Sequence, residues 1–167
     1  MQPPLLPEEA LARVLRLARG DGMGVLMVAT FFALSSAALG DFWGAVVWLL
    51  VAGAGAIELH GGTLLRDAEK RGLNWLIASQ FLLLLVVLGY CALRLTHYDL
   101  APIREALTDE MKASLREANY DQEDFLRIVY VTTYLTMGAV TLLYKSTVAF
   151  YFFRRRGAVA AALDAEG

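Results

Sequence analysis

Three polar side chains stand inside stretches that are otherwise apolar, and each can do chemistry there. Glu58 can hold a proton or a cation, Lys145 carries a positive charge, and Gln80 both donates and accepts hydrogen bonds. A lone carboxylate or ammonium in hydrocarbon costs roughly 2.5–3.5 kcal/mol on insertion scales, so such groups are expected to pair or to meet water. Glu58 stands eight residues before Arg66, Gln80 nine after Arg71 and Lys145 nine before Arg154. At ~1.5 Å per helical residue, all three lie roughly 12–14 Å inside a flanking charge, at one level. Glu58 and Lys145 are the natural pair. Tyr130, Tyr134, Gly138, Thr141 and Lys145 follow helical spacing, a polar stripe that descends to that level beside Tyr144. Glu58, Gln80, Lys145, Thr141, Tyr134, Tyr144 and His60 are therefore the candidate lining of a polar ring or permeation route. In the competing reading Lys145 reaches the headgroups and Glu58 caps a helix ending near His60.

Other chemistry finds little support. One cysteine, Cys91, excludes an intramolecular disulfide, a Cys-x-x-Cys couple and a multi-thiolate metal centre. His60 and His97 fall near opposite surfaces, the wrong depths for one b-type haem. Glu58-Leu-His60 puts its ligands on different sides of a helix, and His97-Tyr-Asp99 reads as a solvated loop. Ser35 or Ser36 with His97 and Asp99 lacks any nucleophile elbow. Asp121-Gln-Glu-Asp124 lacks the glycine and spacing of a calcium loop, and Asp121 reads instead as the cap of a helix. No catalytic residue, metal or cofactor is expected, and with a formal charge of −2 no nucleic acid.

The elements that must position these residues are apolar helices. The chain has 167 residues, of which 57% are hydrophobic and 19% charged, and its mean hydropathy is +0.50. Soluble domains run near 45–50% apolar and about 25% charged, so both figures have moved in the direction lipid requires. Four stretches approach the roughly 20 residues needed to cross about 30 Å of hydrocarbon. They run from Met23 to Leu39, from Phe42 through Ile57 and on to Leu65, from Leu73 to Leu95, and from Phe125 to Phe153. Gly40-Asp41 makes a tight turn between the first two. The first twenty residues hold Arg13, Arg16 and Arg19 with Glu8 and Glu9, no continuous apolar core, and so no cleavable signal peptide is expected. Pro7 to Arg19 reads as an amphipathic surface helix with Leu11, Val14, Leu15 and Ala18 on one face, joined to the first span by a hinge at Gly20-Asp-Gly22-Met-Gly24.

Orientation follows from Lys and Arg. Arg13, Arg16 and Arg19, then Arg66, Lys70 and Arg71, then Arg154, Arg155 and Arg156 fall on one side, so both termini are expected in the cytoplasm. Residues 96–124 then face outward, and Pro102 to Ala118 reads there as one helix with Ile103, Leu107, Met111 and Leu115 along a stripe. The expected organisation is an amphipathic helix at 1–22, spans within 23–95, a helical outer loop at 96–124, a fourth span at 125–153 and a cytoplasmic tail at 154–167. Trp43, Trp48 and Trp75 fall near span ends, as an aromatic belt requires. Ala29, Ala33 and Ala37, with Ser36 and Gly40, and the run Ala52-Gly-Ala-Gly-Ala56 supply small faces for close packing of the first two spans.

The fold class is thus an all-α integral membrane protein, a four-helix transmembrane bundle. Its Arg-, Ala-, Leu- and Gly-rich composition points to a GC-rich bacterial genome, hence a bacterial inner membrane. The expected partners are the lipid bilayer, anionic headgroups at Arg13, Arg16, Arg19, Arg154, Arg155 and Arg156, and further copies of the chain or other membrane subunits. The functional expectation is an oligomeric channel or transporter component for an ion or small polar solute, not an enzyme. The alternative is a non-catalytic subunit, assembly factor or regulator of a larger membrane complex.

Overall fold

A computed structural model describes residues 6–166; residues 1–5 and 167 of the two terminal segments lie outside it. The elements are α1 (Pro7–Ala38), α2 (Phe42–Arg66), α3 (Gly72–Thr96), α4 (Ala101–Ala106), α5 (Asp109–Glu117) and α6 (Gln122–Glu166). No strand occurs among the described residues. Four of these helices, α1, α2, α3 and α6, are long and apolar enough to cross a membrane.

The turn after α1 forms as its residues require. Gly40 takes a φ of +76°, which a residue without Cβ adopts at no steric cost, and Asp41 then accepts the Gly44 N–H at 2.9 Å to cap α2. The helix through Thr63 to Leu65 is also as expected. Asp121 caps α6 by accepting the Asp124 N–H at 3.2 Å.

Three elements differ from the sequence expectation. First, α1 is one helix of 32 residues that passes through Gly20 to Gly24 without a hinge. Gly22 serves packing there: a Cβ on it would stand 3.1 Å from Leu59 Cγ and 3.3 Å from the Gly55 carbonyl. The apolar face before it does not lie open for headgroups. Leu11, Val14 and Ala18 enter a buried core with Leu65, Leu73, Leu76, Phe152, Val159 and Leu163.

Second, α6 does not end near Phe153 but continues for 45 residues in all, about 68 Å at ~1.5 Å per residue. Val159, Ala162 and Leu163 recur at helical spacing beyond the arginines and are buried in the core that also holds Leu11, Val14, Leu65 and Leu73, and that burial holds the last turns in helix. Third, the expected single helix at 102–118 breaks into α4 and α5. Thr108 accepts the Met111 N–H at 3.3 Å, and Asp109 and Glu110 fill the first turn of a new helix.

The chain forms two compact units, one comprising the chain up to Val86 and again from Leu143, the other Val87–Leu142. In the first, α1 and α2 make an antiparallel hairpin. Ala29, Ala33, Ala52, Ala54 and Gly55 are buried in it as small residues should be, whereas Ala37 is exposed. Phe32 stacks on Trp48 with ring centroids 4.8 Å apart. In the second unit the buried hydrophobic residues, among those described, are Cys91, Leu107, Leu126 and Tyr130. An ion pair from Arg104 to Glu123 ties α4 to α6.

Candidate functional site

Glycines set the distances at which polar groups can meet in the first unit. A Cβ on Gly55 would lie 2.9 Å from the Leu26 backbone nitrogen and 3.0 Å from the Gly22 carbonyl, so α1 and α2 touch backbone to backbone there. A Cβ on Gly61 would lie 2.9 Å from the Gly72 carbonyl, which gives α2 and α3 the same intimacy. Small residues that let helix backbones approach are the usual packing device in lipid. Asp21 adjoins the first contact, Glu58 lies between the two, and Gln80 follows two turns after the second.

These helices and α6 enclose a polar cluster. Lys145 Nζ donates to Asp21 Oδ2 at 2.6 Å, and the two side chains are only 5% and 6% exposed. Tyr144 donates its hydroxyl to the other oxygen of Asp21 at 3.2 Å, and its ring centroid is 5.3 Å from Lys145 Nζ. Glu58 and Gln80, each 1% exposed, complete the group; Asp21 and Lys145 act on Glu58 electrostatically and the Gln80 amide stands beside it. The Gln80 amide nitrogen donates to Ser79 Oγ at 3.4 Å, and Ser79 donates to the Leu76 carbonyl at 2.8 Å.

Two atoms are left over. Oε1 of Glu58 and Oε1 of Gln80 are buried with no hydrogen-bond partner. Both are acceptors, and leaving such an atom unsatisfied costs roughly 1–3 kcal/mol. The formal charges point the same way: two carboxylates face one ammonium, a surplus of one negative charge. With both carboxylates ionised, what the cluster would take up is a donor or a single positive charge. Among the described residues no three His, Cys, Asp or Glu side chains come together as a metal site.

Compared with the sequence reading, Glu58, Gln80 and Lys145 do meet, and Tyr144 joins them. The expected Glu58–Lys145 ion pair does not form, because Asp21 takes the lysine. Asp21 was hidden by reading its flanking glycines as a hinge. Continuing the stripe Leu11, Val14, Ala18 by one more helical step arrives at Asp21 and Gly22, and that signal could have found it. His60 is exposed and packs edge-on against Trp75 with centroids 5.8 Å apart, outside the cluster.

Tyr134 and Thr141 belong to the second unit. Arg94 donates from Nε to the Tyr134 hydroxyl at 3.1 Å, and Tyr130 donates its hydroxyl to the Arg94 carbonyl at 2.9 Å. The guanidinium carbon lies 6.0, 6.0 and 5.8 Å from the ring centroids of Tyr90, Tyr130 and Tyr134. This is a cation held among π faces, a structural solution for an arginine in an apolar helix. Thr141 is half-buried on the same stretch of α6. The upper part of the expected polar stripe is thus engaged with Arg94.

No protein family, curated protein or solved structure matches the chain. The functional reading rests on the cluster itself.

Proposed function

We propose that this chain is an integral membrane protein with both termini in the cytoplasm, and that it is a transport component for a proton or a monovalent cation. The single observation that carries the reading is the pair of buried acceptors, Glu58 Oε1 and Gln80 Oε1, in a cluster where two carboxylates meet one ammonium. An intramembrane carboxyl with one oxygen left unsatisfied points to an ion or proton path more than to packing, since packing alone would favour a leucine. Asp21 neutralises Lys145, which removes the preference for anions that a free lysine would impose. In this reading Glu58 holds the positive charge and Gln80 adds a neutral oxygen ligand. Asp21 and Lys145 keep the cavity polar, and exposed Tyr144 is the member through which the surroundings reach it. With Glu58 and Asp21 both ionised against the one ammonium of Lys145, the cluster would have room for a single positive charge, which favours a proton or a monovalent cation over a divalent one.

Four helices of this length enclose little space, so transport implies a homo-oligomer or assembly with other subunits. The reading of the chain as a non-catalytic subunit or assembly factor has one observation in its favour: no residue of the amphipathic α5 is buried.

The test is reconstitution of purified protein into liposomes under an imposed potential, with separate reporters for H+, Na+ and K+. Flux of one of these above protein-free liposomes supports the transport reading. Baseline flux of all three overturns it and leaves the subunit reading.

A further inference from the structure

A cleft of about 300 Å3 opens between α1 and α2. Its walls are Leu15, Met23, Leu26, Met27 and Leu59, with Gly62 leaving room between them, and Arg19 and Arg66 stand at its edge. The hairpin register fixes the layout. Gly62 faces Ala18 and Leu59 faces Gly22, so Arg19 and Arg66 share the end of the cleft that lies toward Leu15, while Met23 to Met27 extend one to two turns along α1 in the opposite direction. Both arginines are exposed, and neither has a hydrogen-bond or ion-pair partner among the described residues.

We propose that this cleft binds a phospholipid with an anionic headgroup, its phosphate between Arg19 and Arg66 and one acyl chain along Met23, Leu26 and Met27. Guanidinium forks match phosphate oxygens in geometry and charge, and methionine side chains adapt to a flexible chain. The cleft combines two free cations with an apolar slot. Arg13 and Arg16 do not line this cleft. The cleft beside Arg156 has its lysine, Lys70, already paired with Asp164, and Arg71 paired with Glu69. A soluble anion would use the arginines and leave the slot empty, whereas an anionic lipid uses both. The proposal stands independently of the transport reading.

The experiment is native mass spectrometry of the purified full chain in detergent, titrated with phosphatidylglycerol, phosphatidylcholine or inorganic phosphate. Three variants accompany the wild type: Arg19→Gln with Arg66→Gln, Arg13→Gln with Arg16→Gln, and Gly62→Leu. A basic residue near an anionic headgroup contributes about a factor of five, so the first variant should lose phosphatidylglycerol roughly 25-fold. The second should keep most of its affinity. Gly62 has only the Ala18 Cβ, at 4.0 Å, near the position of an added Cβ, so leucine there fills the slot without disturbing the hairpin. That variant should also lose the lipid. Equal retention of phosphatidylglycerol and phosphatidylcholine by the wild type would overturn the proposal. So would persistence of the preference in both cleft variants, or phosphate binding as tight as the lipid's and unaffected by Gly62→Leu.

Discussion

Removal of the lysine from the buried cluster should be far more damaging than removal of its partner aspartate. At 2.6 Å and an effective dielectric constant near 20, the Asp21–Lys145 attraction is about 6 kcal/mol gross, much of it offset by desolvation of the two ions. Breaking a buried pair by deleting one partner usually costs roughly 3–5 kcal/mol, because the other charge is stranded. Here the two deletions are not equivalent. Lys145→Met leaves Asp21 and Glu58 facing each other with no cation and should take the full 3–5 kcal/mol. Asp21→Asn leaves Lys145 with Glu58 as a substitute counter-charge, and the loss should be about 1–2 kcal/mol. The double variant should be more stable than the sum of the two predicts, by about 1.5–3 kcal/mol, because the groups belong to one network. The assay is reversible unfolding in mixed micelles followed by tryptophan fluorescence. Equal and additive costs for the two substitutions, or a larger cost for Asp21→Asn, would refute the view that a second carboxylate is within reach of Lys145.

Three further outcomes follow from packing. Gly55→Ala, whose Cβ would meet the Leu26 nitrogen at 2.9 Å, should lower stability by about 1–3 kcal/mol, whereas Gly53→Ala, with nothing within 4 Å, should be neutral or slightly stabilising in the same unfolding assay. Leu163→Ala removes a side chain that is 5% exposed beyond the arginines of α6 and should cost roughly 2–3 kcal/mol, with protease sensitivity appearing first in the last turns of that helix. Tyr134→Phe deletes the hydrogen bond from Arg94 but keeps the ring, so a thermal melt should show a loss of about 1–2 kcal/mol, less than Tyr134→Ala.

Much of the fold is legible in hydropathy and turn chemistry. Gly40-Asp41 had to turn, Asp121 had to cap, and Thr63 to Leu65 restored enough apolar character to carry α2 past Glu58 to Arg66. What escaped the sequence was long-range. The glycines around Asp21 read locally as flexible, yet Gly22 is needed because Gly55 and Leu59 arrive from another helix. The residues after Arg156 read as a tail, since their partners at Leu11 and Val14 lie almost the whole chain away. The same blindness displaced the ion pair. Depth counting put Glu58, Gln80 and Lys145 at one level, and the structure gathers them in one cluster, but the choice between Glu58 and Asp21 as partner depends on which helix faces α6. The break at Thr108 is a different case, because its capping signal, Thr-Asp-Glu, was local and was outweighed by the apolar stripe across it.

The measurement that bears most directly on the account is cation or proton flux through proteoliposomes containing Glu58→Gln, compared with wild type at matched incorporation and matched unfolding stability. Glutamine keeps the shape and an acceptor oxygen while removing the charge that the proposed ion needs. The account predicts that wild-type flux falls at least tenfold in this variant. Flux unchanged by the substitution would contradict it, and would return Glu58 to the role of a buried packing residue.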